Sequence, residues 1–120
     1  FAVYALSLVM NWITAQGGVD AIARNNAKKA GLIYDAIKRS GGFYDCPVAE
    51  RFRSQMNVVF RLPSEELEKQ FIAKAEEHGM LGLPGHRSVG GIRASLYNAL
   101  PLESAEALSG FMAEFARTNG

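Results

Sequence analysis

The chain is short of several things, and each shortage narrows what it can be. A single cysteine, Cys46, stands in 120 residues. That excludes an internal disulfide and fits a reducing compartment. Beside Pro47 it reads as a small filler residue at a turn rather than a nucleophile. Charge of either sign is barely in excess, with 13 Lys and Arg against 12 Asp and Glu, a net of +1. Such a balance gives no reason to expect nucleic acid or an anionic membrane as partner. Long hydrophobic runs are missing too. Phe1 to Ile13 is interrupted by Asn11 and is too short to cross a bilayer. It also lacks the positive leader and cleavage site of a signal peptide. No repeat, low-complexity tract or dividing linker is visible, and no metal site is expected. There is no initiator methionine, and Phe1 already lies within a helical apolar pattern, so the chain reads as a piece of something longer. At this length it forms one domain with a modest core.

What is present begins with two helical patterns. Phe1 to about Gln16 is apolar almost all round (Val3, Leu6, Leu8, Val9, Met10, Trp12, Ile13), which predicts a helix covered on most sides, with Trp12 in a core. A chain this short has little with which to cover it, so a further domain or subunit is expected there. Gly17-Gly18 stops the helix. Val19 to about Ser40 predicts a longer helix with a stripe at Ala23, Ala27, Ala30, Tyr34 and Ile37, closed by Lys38, Arg39 and Gly41-Gly42.

The second half mixes strands and helices. Phe43 to Met56 reads as irregular, and Arg51-Phe52-Arg53 as a solvated edge, because two arginines make too little field for nucleic acid. Asn57 to Leu62 is a strand by its β-branched and aromatic content. Ser64 N-caps a helix with Leu67, Phe71 and Ala75 inward, ended by His78 and Gly79. Met80 to Leu83 predicts a short strand. Pro101-Leu102 opens a last helix with Ala105, Leu108, Met112 and Phe115 as its stripe. The expected class is α/β: a two-layer domain, a small sheet covered by helices on one face.

The most informative stretch is Gly85-His86-Arg87-Ser88-Val89-Gly90-Gly91-Ile92-Arg93-Ala94-Ser95-Leu96-Tyr97-Asn98-Ala99. From Ile92 the pattern alternates, with Ile92, Ala94 and Leu96 on one face and Arg93, Ser95 and Tyr97 on the other. Arg93 therefore stands on the non-core face, just after a glycine loop bearing His86 and Arg87. Three cationic or potentially cationic groups together fit a small carboxylate or phosphate, which a planar guanidinium grips with two parallel hydrogen bonds. A solvated arginine beside a turn is the ordinary alternative, and spacing alone does not separate the two. No Gly-Lys-Ser or Gly-Lys-Thr follows the glycines, so a nucleotide phosphate loop is excluded.

Residues 85 to 103, continuing through Leu100-Pro101-Leu102-Glu103, resemble the C-terminal signature of the phosphoserine aminotransferases, pyridoxal-phosphate enzymes of serine biosynthesis. The likeness extends to Phe1-Ala2-Val3-Tyr4, Gly17-Gly18-Val19, Arg53 to Phe60 and Phe111-Met112, and so to essentially the whole chain. The resemblance implies the small C-terminal domain of a fold-type-I aminotransferase, with residues 1–40 linking to a large cofactor domain and 41–120 forming the sheet-and-helix unit. It implies amino transfer between glutamate and 3-phosphohydroxypyruvate, giving phosphoserine and 2-oxoglutarate, by a cytoplasmic homodimer. A related phosphohydroxythreonine reaction of pyridoxine synthesis is implied as well. By the same resemblance Arg93 grips the substrate α-carboxylate, and His86 and Arg87 lie near the distal phosphate or carboxylate.

Pyridoxal phosphate needs a lysine to hold it as a Schiff base. The five here, Lys28, Lys29, Lys38, Lys69 and Lys74, fall on helical patterns among polar residues. The cofactor lysine is therefore expected upstream, no catalytic residue is expected within the 120, and cofactor contacts are unassigned. Two readings from other classes stay open: a non-catalytic small-anion-binding regulatory module, and a purely structural domain.

Overall fold

A computed structural model describes all 120 residues, Phe1 to Gly120. Its first helix, α1 (Ala2–Ala15), has no buried residue; its C-terminal end meets the start of α2 (Val19–Arg39), and Trp12 borders a cavity it shares with Asn98 to Pro101. Within this chain α1 stands uncovered; the cover expected for it is that of a further domain or subunit. Val3, Leu6, Val9 and Met10 all face solvent, and Trp12 is exposed rather than core. The physical reason is the one the sequence offers: the apolar residues run round the helix, and the rest of the chain presents no second layer to enclose them.

The compact part begins at α2. Its inward stripe is Asn26, Lys29-Ala30, Ile33 and Ile37, turned from the one expected, so that Ala23 and Ala27 are exposed. The larger aliphatics Ile33 and Ile37 decide the facing because they bury more apolar area than alanine. After one 3₁₀ turn at Glu50–Phe52 come β1 (Asn57–Phe60), α3 (Glu65–Glu77), β2 (Ile92–Ser95) and α4 (Leu102–Asn119). Ser64 caps α3 as expected, its hydroxyl accepting from the Leu67 amide at 3.2 Å.

β1 and β2 pair antiparallel, with Val58 opposite Ala94 and Phe60 opposite Ile92. Those four face the helices. Phe60, Tyr44, Phe71, Phe111 and Phe115 form a continuous edge-to-face and tilted aromatic cluster with centroids 5.0 to 6.0 Å apart, joining β1 to α3 and α4. Asn57, Val59, Arg93 and Ser95 take the outer face, where the Ser95 hydroxyl donates to Asn57 Oδ1 at 3.1 Å. The sheet is thus covered on one face only, as expected. The strand expected at Met80 to Leu83 does not form: Gly79 and Gly82 both adopt positive φ, which breaks extended backbone there. Only Pro84 bridges β2, opposite Ile92, while the Leu83 carbonyl accepts from the Arg93 amide at 2.7 Å.

Candidate anion-binding site

The loop between Pro84 and Ile92 is a closed turn leading into β2. The Gly85 amide donates to Gly91 O at 2.9 Å, and the amides of Val89 and Gly90 both reach His86 O, at 3.0 and 2.8 Å. Such closeness requires glycine. A Cβ on Gly85 would run into the carbonyl oxygens of Gly90 and Gly91, and Gly91 itself sits at φ +72°. Within the turn the His86 ring Nδ1 lies 2.8 Å from the Ser88 hydroxyl. That fixes the ring and leaves Nε2 without a protein partner.

Arg93 emerges from the middle of β2 onto the outer face, half-buried. It borders two cavities. One, of about 310 Å³, it shares with His86, Gly85, Gly90 and Arg61. The other, of about 540 Å³, runs between the His78 to Leu83 segment and the start of α4. The Nε of Arg93 is buried and has no hydrogen-bond partner. An unmet buried donor costs about 1–3 kcal/mol, which an anion accepting from it would recover.

The structure therefore brings His86 and Arg93 to one cavity. It does not bring Arg87, which is exposed on the turn and lines neither space. In its place stands Arg61, which sequence reasoning did not single out. It lies one residue past β1 on the outer face and donates from Nη2 to Val89 O. The signal was available: in the alternation from Asn57, position 61 falls with 57 and 59, away from Val58, Phe60 and Leu62. The structure's two ion pairs are Arg39 with Asp35 and Arg117 with Glu114, both exposed. Arg61, Arg87 and Arg93 are in neither, so their charge is uncompensated by protein.

The lysines divide differently from expectation. Four are exposed on helices, but Lys29 is fully buried. Its ammonium donates to Tyr97 O at 2.8 Å and Leu100 O at 3.0 Å, and burial pulls its pKa below the usual lysine value. α2 faces the loop after β2 across a close gap here, which a helical pattern alone does not reveal. Held by two carbonyls, that amine is not free for carbonyl chemistry.

A relative from Herpetosiphon aurantiacus described as phosphoserine aminotransferase is 57% identical over 120 residues, all of this chain and 33% of the relative. The chain is homologous to the phosphoserine aminotransferases. It spans about a third of the length of the curated relatives it matches. The solved phosphoserine aminotransferase from Bacillus circulans subsp. alkalophilus matches with a TM-score of 0.95 and 54% identity, over all of this chain and 33% of that one. A PLP-bound phosphoserine aminotransferase from Trichomonas vaginalis matches with a TM-score of 0.79 and 34% identity, over 85% of this chain and 30% of that one. No protein-family model matches the chain. The mixed α/β fold, four helices and a two-stranded antiparallel sheet, therefore matches that of a solved phosphoserine aminotransferase, as the resemblance implies. This chain's residues do not by themselves fit a pyridoxal-phosphate Schiff base: four lysines are solvated and the fifth is engaged.

Proposed function

We propose that this chain supplies substrate-anion recognition to a phosphoserine transaminase, which moves an amino group between glutamate and 3-phosphohydroxypyruvate. The observation that carries this is the buried, unpartnered Nε of Arg93, set beside His86 and an uncompensated Arg61, in a chain so similar to that family. Arg93 binds the α-carboxylate, common to all four substrates: glutamate, 2-oxoglutarate, phosphoserine and 3-phosphohydroxypyruvate. Its fork fixes the acid's orientation as well as its charge. His86 and Arg87 meet the distal anion, His86 from within the cavity and Arg87 from the solvent side of the turn. Phosphohydroxythreonine, with the same two anionic ends, is a second acceptable substrate.

Pyridoxal phosphate, held mainly by a large domain outside these 120 residues, supplies the amino-transfer chemistry. This chain's own part is to bind and orient. The working protein is a cytoplasmic homodimer that engages neither nucleic acid nor membrane. No helix of this chain is long and apolar enough to cross a bilayer. The test compares two proteins. The full-length protein should form phosphoserine from glutamate and 3-phosphohydroxypyruvate, while the purified 120-residue chain should be silent and retain no pyridoxal phosphate after borohydride reduction. Transamination by the 120-residue chain alone would sink the division of labour. A full-length protein that binds these acids without turnover would establish the regulatory-module reading instead.

A further inference from the structure

We propose that Arg61 is the positioning residue of the anion loop, the clamp that holds residues 85 to 91 in place for the substrate's distal anion. This rests on the functional reading above and extends it to a residue with no assigned role. The backbone of Arg61 is fixed from behind. Its amide donates to Asp45 O at 2.7 Å, and its carbonyl accepts from the Asp45 amide at 2.9 Å. The side chain then crosses the outer face of the sheet and donates from Nη2 to Val89 O. On the way its stem lies over Gly91, where a Cβ would come within 3.3 Å of Arg61 Cγ and 3.1 Å of Phe60 O.

The turn's other bonds are its own. The His86 to Val89, His86 to Gly90 and Gly85 to Gly91 backbone links are internal, as is the His86–Ser88 contact. The Arg61–Val89 bond is the side-chain hydrogen bond that ties the turn to the sheet. It joins an ionised donor to a carbonyl, which makes it stronger than a neutral pair. No carboxylate competes for the guanidinium, since neither ion pair involves it. A turn anchored by one long side chain loses its position when that side chain is cut, and its internal amide bonds then open more readily.

The test uses the full-length protein with Arg61→Ala, Arg61→Gln and Arg61→Lys. Lysine keeps the charge and a donor nitrogen one bond short of the guanidinium's; the neutral amide of glutamine falls two bonds short. Two readouts are taken: amide hydrogen exchange at Val89 to Gly91, and KM against kcat for phosphoserine. Arg61→Ala should speed exchange about ten-fold, the equivalent of one lost charged hydrogen bond, and raise KM by about as much, with kcat moved far less. Arg61→Lys should recover more of both than Arg61→Gln, because the clamp needs reach to Val89 O as well as a donor. Unchanged exchange in Arg61→Ala would overturn the proposal. Rescue of KM by lysine with exchange still as fast as in Arg61→Ala would also overturn it, since Arg61 would then act by its charge on the substrate. Faster exchange with no change in KM, together with a silent Arg93→Lys, would leave the clamp standing and remove the functional reading instead.

Discussion

Replacing Lys29 with methionine tests how the loop behind the site is held. Methionine has nearly the length and flexibility of the lysine stem, so packing is kept while the ammonium is deleted. Two carbonyls, Tyr97 O and Leu100 O, lose a charged donor. Each such bond contributes roughly 1.5–3 kcal/mol. Against this, deleting a buried charge recovers its desolvation penalty, which is the cause of the lowered Lys29 pKa. The net expectation is a loss of about 2 kcal/mol. With an unfolding entropy of about 2.1 cal/mol/K per residue, that lowers Tm by about 8 °C in a domain of this size. Thermal denaturation followed by near-UV circular dichroism reads it directly. The pH dependence has a definite sign as well. Because the folded state binds the Lys29 proton less tightly than the unfolded state, unfolding takes up a proton between the lowered pKa and about 10.4. Stability from this residue therefore rises with pH across that window, and Lys29→Met abolishes the rise. A variant as stable as the parent would refute the reasoning. Desolvation would then outweigh both hydrogen bonds, and Lys29 would not be what secures the Tyr97 to Leu100 turn.

Tyr44 titrates in the opposite sense. Burial holds its hydroxyl well above the usual tyrosine value while it donates to Met112 O at 2.8 Å. The unfolded chain loses that proton above about pH 10 and the folded one keeps it, so stability should fall as pH rises beyond 10. Tyr44→Phe should cost about 1 kcal/mol at neutral pH and flatten the alkaline loss. Equal urea midpoint shifts between pH 8 and pH 11 in parent and variant would contradict this. The 120-residue chain alone should self-associate through α1, where Val3, Leu6, Val9 and Met10 lie open. Sedimentation of a strict monomer at high concentration, with no binding of a hydrophobic dye, would count against it.

The helices were legible because their signals are local. Ser64 before two glutamates, Gly17-Gly18, and the Ala105, Leu108, Met112, Phe115 spacing each mark a boundary or a face without reference to the rest of the chain. The alternation from Ile92 placed Arg93 on the outer face for the same reason. Facing within α2 was misjudged because alanines at helical spacing mimic a core stripe, while the real one is set by Ile33 and Ile37 meeting α4. Met80 to Leu83 has strand composition, but the positive φ of Gly79 and Gly82 overrides it. Lys29 and Arg61 were invisible as special residues for one cause. Each acts on a carbonyl far away in sequence, Tyr97 O or Leu100 O for one and Val89 O for the other, and only the fold brings those atoms near.

Arg93→Lys in the full-length protein tests the central claim most directly. Lysine keeps the charge but loses the fork. Losing one charge-assisted bond of roughly 1.5–3 kcal/mol should lower kcat/KM by about one to two decades. The loss should appear for glutamate and phosphoserine alike, because both present an α-carboxylate. Arg87→Ala, by contrast, should weigh on the two substrates unequally, according to the distal anion. If Arg93→Lys leaves both half-reactions near the parent's rates, Arg93 does not hold the carboxylate, and the outer face of the sheet is a solvated surface.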